Sequence, residues 1–369
     1  MYTVAMSQIE KPRGPSISDI AADAGVSIAT VSRVINASAF VKPDVAAKVK
    51  ASIDRLGYVK LRSSRSEGYD GKRLVGLLVP DIENPYFASL IKGVQSVTCL
   101  RGLDVVLADP GNEPGHAAAQ LARLVDRGIR AALVVAPEGF PVSGSGLEVE
   151  SLRGSPVPVV FMDRRARPDG IHYVGSENYN GAYNAAVYLG SLGHRDILYL
   201  AGDRGLSTET ERYAGFLDGM ATGASRVGGS APGPAPDGST EGSAGCWKLF
   251  EPCDFSLDKA YRAVQDRLAA GLDFSAIFAA DDYMAFGALK ALRDSGLRVP
   301  EDVSLVGFDD LPFSAMIGLT TVRQQAFEIG VASMSLALDL MDGRRKGPQD
   351  VILSTSLIIR GSCAVRVGR

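Results

Sequence analysis

The chain has 369 residues, 46% hydrophobic and 22% charged, which allows two or three globular cores and excludes a fibrous or low-complexity protein. Its net charge of -3 hides an asymmetry: up to Lys72 there are 11 Lys and Arg against 7 Asp and Glu, or +4, and beyond it 28 against 35, or -7, so a basic head meant for a polyanion precedes an acidic body. Four cysteines (Cys99, Cys246, Cys253, Cys363) without zinc-type pairing exclude a disulfide scaffold and fit a cytoplasmic setting, and no apolar run approaches the roughly 20 residues of a membrane helix.

Residues 1–15 read as a disordered arm without a signal-peptide core, and Met6 is an alternative start. From Ser16 the pattern becomes helical. Ser16 and Asp19 have the spacing of a capping box, Ile17, Ile20, Ala21 and Ala24 form an apolar stripe, and Gly25 supplies a left-handed stop. Ser27 caps a second helix, SIATVSRVIN, ending near Asn36. A third helix starts near Pro43, with Val45, Val49, Ile53 and Leu56 on its buried edge. Two short helices joined by a tight glycine turn make a helix-turn-helix, whose second helix enters the DNA major groove. Val31, Val34 and Ile35 pack inward. Ile28, Ala29, Thr30, Ser32, Arg33 and Asn36 then face outward. Arg33 suits a guanine edge, Ile28 and Ala29 a thymine methyl, and the short polar side chains phosphate oxygens.

AGVSIATVSRVIN, followed by LGY some twenty residues on, resembles the DNA-binding head of the lactose-repressor family (LacI/GalR). The resemblance continues almost to the C-terminus. It implies a helix-turn-helix domain over 16–58, with Ser16, Ser27 and Tyr58 joining the DNA contacts, and a hinge over 59–72. The family hinge ends in a leucine that wedges into the minor groove. Here Arg65 and Ser66 match, but Glu67 stands at the leucine position, and a carboxylate cannot wedge between base pairs. Arg62 and Arg65, with Lys60, remain available to phosphates.

The body alternates short apolar runs with helical stretches: RLVGLLVPD, DVVLADP, AALVVAP, PVVFMDR, IHYVG, DILYLAG, SAIFAADD and VSLVGFDD, the last closing the alternation near residue 310. Helices are expected at about Asn180–Leu192 and Tyr213–Met220. Such alternation means parallel sheets covered on both faces, in two lobes. The fold class is therefore an α/β core of two doubly wound parallel-sheet lobes behind an all-α head. The resemblance makes that core periplasmic-binding-protein-like. It assigns 73–174 plus 323–352 to the first lobe and 175–322 plus 353–360 to the second, with the ligand cleft between. The stretch 221–245, almost all Gly, Ser, Ala and Pro, reads as a mobile insertion.

Asp81, Asp163, Asp281 and Asp309 each end a strand, where ligands of such sheets bind. Matched to the family's effector motifs, Tyr86 and Phe87 offer a stacking face, Asp163 and Arg164 follow the fourth strand, and Arg212 reaches in from the second lobe. Phe255 is an aromatic wall, Asp281 replaces the usual Asn, and Asp309 and Gln324 complete the polar set. Carboxylates beside an arginine suit hydroxyls that donate and accept, so a neutral sugar or polyol is the first choice of effector and a nucleobase or sugar phosphate the second. The implied protein is a homodimeric regulator, most readily a repressor, on a roughly palindromic operator. No cofactor, metal or membrane is called for. The rival readings are a transport-type sugar-binding protein and an enzyme. The intact head argues against the first. Three histidines, with no P-loop, no Gly-x-Ser-x-Gly and no metal-spaced cluster, argue against the second.

Overall fold

In the computed structural model the chain divides into two compact units, residues 1–70 and 71–369. The structure describes residues 16–36, 41–56, 73–143, 148–149, 157–165, 171–226, 249–271, 274–345 and 347–366. The arm before Ser16 and the hinge positions Tyr58, Arg62, Arg65 and Glu67 lie outside the described residues.

The head has three helices: α1 (Ile17–Ala24), α2 (Ile28–Asn36) and α3 (Pro43–Leu56). Ser16 and Asp19 form a reciprocal capping box, and Gly25, at φ 66°, ends α1 in the left-handed region that suits a residue without Cβ. Ile20, Ala21, Val31 and Val49 make a small core, with Ile17, Val34, Ile53 and Leu56 against its edge. An Arg55–Asp23 ion pair ties α3 to α1.

The body begins with β1 (Leu74–Leu78), α4 (Pro85–Leu100), β2 (Asp104–Ala108), α5 (Pro114–Asp126) and β3 (Ala131–Val134). A short antiparallel pair follows, β4 (Val142–Ser143) and β5 (Glu148–Val149), then β6 (Val159–Met162) and β7 (His172–Ser176). Next come α6 (Asn178–Ser191), β8 (Ile197–Ala201), α7 (Ser207–Arg226), β9 (Leu249–Pro252), α8 (Leu257–Ala269), β10 (Ala276–Ala279), α9 (Asp282–Asp294), β11 (Ser304–Asp309), α10 (Pro312–Met316), β12 (Thr320–Arg323), α11 (Ala326–Met341), β13 (Asp350–Leu353) and β14 (Ser356–Ile358).

Two sheets result, ordered β13-β7-β6-β3-β1-β2 and β14-β12-β11-β10-β8-β9. The interior strands are unbroken aliphatic runs because helices bury both faces: every residue of β1, β3, β8 and β10 is buried. Every pairing in the first sheet is parallel, as in the second except for β14, which runs antiparallel to β12. The edge β14 thus departs from the all-parallel expectation. The alternation also continues past residue 310, because β12 and β13 each add a strand.

The chain crosses between sheets after β7, after β12 and after β13. Main chain and side chains knit the crossings together. The Glu177 N–H donates to the Leu353 carbonyl at 2.9 Å, Thr355 Oγ1 to the Glu177 carbonyl at 3.2 Å, and Gln325 Nε2 to the Ser354 carbonyl at 2.8 Å. Arg323 remains in the second sheet and Leu353 in the first, so the crossings lie slightly beyond the boundaries the resemblance implied.

Helices pack backbone to backbone. A Cβ on Gly93 of α4 would lie 2.0 Å from the Phe327 carbonyl oxygen of α11, and one on Gly219 of α7 would lie 2.4 Å from that of Tyr183 in α6. The same contact overturns part of an expectation. Helix α7 is longer than 213–220 and takes in residues 221–226, the start of the supposed mobile insertion. Gly223 is buried, and a Cβ there would come within 3.1 Å of Gly190 Cα, so tertiary packing makes a helix of a Gly/Ala run with little propensity of its own. The remainder of the insertion, 227–245, lies outside the described residues.

Candidate functional site

Three of the carboxylates that end strands come together at the C-terminal edges of the two sheets. Asp163 follows β6, Asp309 ends β11, and Asp281 follows β10. Asp163 (φ 61°) and Asp309 (φ 117°) are held at positive φ, as is Phe255 (φ 57°). A non-glycine residue there costs about 1–2 kcal/mol, so the surroundings must impose it. Asp81, the fourth candidate, is not in the cluster: it accepts the Glu83 N–H at 2.8 Å in a local turn.

On the first lobe, Tyr86 Oη donates to Asp163 Oδ1 at 2.6 Å, and Tyr173 Oη to the Asp163 carbonyl at 2.8 Å. Tyr86 is placed by α4, whose cap Asn84 accepts the Tyr86 N–H. Phe87 meets Tyr86 edge-on at 5.3 Å and is part of the lobe core, 4% exposed; its ring lies 5.9 Å from the Arg164 guanidinium. Arg164 is buried and donates to Asn112 Oδ1 at 2.7 Å. Beside it, the Arg165 N–H reaches Ser207 Oγ, at the start of α7 in the second lobe, at 2.9 Å.

Arg212 is the hub of the second lobe. It is buried, 4% exposed. Its Nε donates to Asn178 Oδ1 at 2.9 Å and one terminal nitrogen to the Ala280 carbonyl at 2.5 Å. The other faces Asp309 at 3.8 Å, and the guanidinium lies 4.0 Å from the Phe308 ring centre and 6.0 Å from that of Phe255. Gln324 Nε2 donates to Asp309 Oδ1 at 2.7 Å. Asp281 caps α9 by accepting the Met284 N–H at 2.7 Å, which gives the substituted position a structural task as well. The half-buried Phe255 ring lies over Gly202, where any Cβ would meet it at 2.0 Å.

Burial and charge shape the protonation of this cluster. Burial alone would weaken the charge of Arg212, but the carboxylates of Asp309 and Asp163 outweigh it and raise its pKa. Burial pushes Asp281 up to about 7, against the capping N–H and Arg212, and pushes Asp309 well above the carboxylate range. One guanidinium does not offset the burial of both acids. Burial and the nearby Asp163 raise the Tyr86 phenol as well, so it stays a donor.

Several residues here escaped the sequence reading. Asn178 orients Arg212. Glu209, 1% exposed, accepts from Tyr199 Oη and the Gly202 N–H, and burial raises it to about 7. Asp282 accepts from the Leu311 N–H, Ser314 Oγ and Thr321 Oγ1, fixing the loop that carries Asp309. None belongs to a distinctive motif; only spatial convergence marks them. His194 is structural, bonded to Ser275 Oγ and the Ala364 carbonyl.

In the head, Ile28 (57% exposed), Ala29 and Arg33 lie on the exposed face of α2. Thr30 and Ser32 are only half-buried, and the Thr30 hydroxyl pairs with Ser27 Oγ at 2.9 Å, which also accepts the Thr30 N–H as a cap. The Ser16 hydroxyl is likewise engaged in its capping box, although exposed. The Asn36 side chain lies outside the described residues. Among the described residues no His, Cys, Asp or Glu cluster is arranged to hold a metal ion, and no helix is long and apolar enough to cross a membrane.

A helix-turn-helix head on a two-lobed α/β body with a charged cleft defines a ligand-controlled DNA-binding regulator. The chain belongs to the lacI family of bacterial regulatory proteins, whose family model matches residues 16–60. The model for periplasmic binding proteins and the sugar-binding domain of the LacI family matches 72–225, and a periplasmic binding protein-like model matches 186–363. The HTH-type transcriptional repressor PurR of Pectobacterium atrosepticum is 31% identical over 352 residues, covering 95% of this chain and 97% of its own. The PurR of Yersinia pestis (strain Pestoides F) is also 31% identical over the same shares. Among solved structures, a transcriptional regulator CelR–cellobiose complex is 29% identical with a TM-score of 0.64, covering 94% of this chain and 99% of that one. The Lac repressor dimer bound to operator and an anti-inducer shares the fold, at 24% identity, 95% and 100% coverage and a TM-score of 0.66. The chain is thus a transcriptional regulator of the repressor type whose DNA binding responds to a small molecule, and its relatives are repressors, not enzymes.

Proposed function

We propose that the cleft around Arg212 takes a neutral sugar or polyol, and that its occupancy changes the affinity of a cytoplasmic, non-catalytic homodimer for a roughly palindromic operator. The observation that carries this reading is the placement of one fixed guanidinium among buried carboxylates from both lobes, Asp163 on one side and Asp309 and Asp281 on the other. Vicinal hydroxyls satisfy such a set, because each donates to a carboxylate while accepting from the guanidinium. An anionic ligand would add to the acid excess. The cellobiose held by a relative of 29% identity supports the same class.

Asp163, Arg164, Tyr86, Arg212, Phe255, Asp281, Asp309 and Gln324 are the proposed effector contacts, with Phe87 supporting Arg164 and Tyr86 from the core. Arg33, Ile28 and Ala29 are the proposed base-reading side chains, and Ser16, Ser27, Thr30 and Ser32 serve phosphates through their caps and hydroxyls. An effector shifts the operator equilibrium only by its differential affinity for two arrangements, and a coupling of about 1–3 kcal/mol changes DNA affinity ~5–150-fold. A nucleobase is the second reading, favoured by the half-buried Phe255 ring, which lies close against Gly202.

A thermal-shift screen of the full chain against sugars, polyols and nucleobases tests the site, since a ligand of the native state raises the midpoint. The expected hit is a neutral polyhydroxylated compound whose shift disappears in R212M and which alters operator binding in a gel shift. A hit with the same shift in R212M would place the ligand elsewhere.

A further inference from the structure

The Asp309–Gln324 pair holds one more feature. Both residues are buried. Gln324 Nε2 donates to Asp309 Oδ1 at 2.7 Å, which leaves Gln324 Oε1 buried without a hydrogen-bond partner among the described residues. The pair lines a cavity of about 180 Å³, together with Tyr86, Ser89, Leu311 and Phe327. An amide has the same shape either way round, with the oxygen and nitrogen exchanged. Its orientation is therefore set by what faces it.

We propose that Gln324 is a proton-gated hydrogen-bond switch: its amide inverts when Asp309 takes up a proton, donating an N–H to the ionised carboxylate at high pH and accepting the carboxyl O–H at low pH. With Asp309 ionised, only the amide nitrogen can face it, and the buried Oε1 is left without a donor. With Asp309 protonated, its O–H donates to Oε1, which supplies the donor that the ionised pair withholds. The proton comes from solvent and no other bond changes.

The neighbourhood makes Asp309 the group to titrate. Arg212 of α7 faces it at 3.8 Å but is already bound to Asn178 and the Ala280 carbonyl. Against that one cation stand Asp281 after β10 and Asp282 on α9, with Glu209 on α7. Across the cleft are Tyr86 of α4 and Asp163 after β6, bonded to each other. Arg323 and Arg360 lie close by but pair with Asp310. Burial favours the neutral carboxyl, and the surrounding acids add to it.

The switch needs no ligand and does not rest on the cleft being the effector site. The test is therefore made on the full, ligand-free chain, with ¹⁵N-glutamine and ¹³C-carboxyl aspartate, by NMR between about pH 5 and 9. Q324A and D309N assign the signals. We expect the two Gln324 amide N–H resonances and the Asp309 carboxyl carbon to shift with one shared midpoint, and D309N to abolish the Gln324 titration. Gln324 signals that stay fixed while Asp309 titrates would overturn the switch, as would an Asp309 that remains ionised throughout. Should D309N not fold, the two wild-type midpoints decide alone. A failed ligand screen leaves this measurement intact, so the two failures are told apart.

Discussion

The Arg212 guanidinium stands 3.8 Å from the Asp309 carboxylate, and the two side chains are 4% and 5% exposed. Without the guanidinium the buried Asn178 Oδ1 and Ala280 carbonyl lose their donor and Asp309 loses its cation, and a buried acceptor left bare costs about 1–3 kcal/mol. R212M is therefore expected to lower stability by about that amount in urea denaturation, and to abolish the effector response of operator binding. The double variant R212M/D309N should recover part of the stability but none of the response, because it removes the orphaned carboxyl without restoring the donor.

Tyr86 supplies the hydroxyl that Asp163 accepts at 2.6 Å. In Y86F the ring still packs but the buried oxygen loses its donor. A loss of about 1–3 kcal/mol is expected, read from the denaturation midpoint. A loss near zero would mean that solvent already serves Asp163.

Gly93 has no room for a side chain: its Cβ would meet the Phe327 carbonyl at 2.0 Å. G93A should force α4 from α11 and cost about 1–3 kcal/mol, seen as a lower melting temperature, even though alanine is the better helix former.

Asp281 makes stability depend on pH. Its folded pKa of about 7 lies above the ordinary 3.8 because of burial. A group with a raised folded pKa holds more protons when folded, so an acid of this kind loses stability as pH rises. The window runs from about 4, where the unfolded chain ionises, to about 7, where the folded one does; above that no further loss follows. D281N keeps the α9 cap, since asparagine also caps. Its melting temperature should fall less than the wild type's across that window. Equal slopes would show that Asp281 is ionised at neutral pH.

Arg33 lies exposed on α2. R33A should cost about 1–3 kcal/mol against the cognate operator and much less against random DNA, measured by gel shift at fixed salt. An equal loss on both would reduce Arg33 to a phosphate contact.

The local elements were legible because short-range chemistry writes them. Ser16 with Asp19, Gly25, and the uninterrupted aliphatic runs of β1 and β8 each carry their own signal within a few residues. So do the strand-end aspartates, whose types alone pointed to a polar cleft. Tertiary structure decided the rest. Asn178 reads as any helix-start asparagine until α6 brings it to Arg212. Residues 221–226 read as part of a mobile insertion until Gly223 meets Gly190, and Asp81 looked like its fellows until the fold left it in a turn. Which carboxylates share one cation, and which amide oxygen is left without a donor, depends on contacts between residues 15 to 97 positions apart, and no local spacing encodes those.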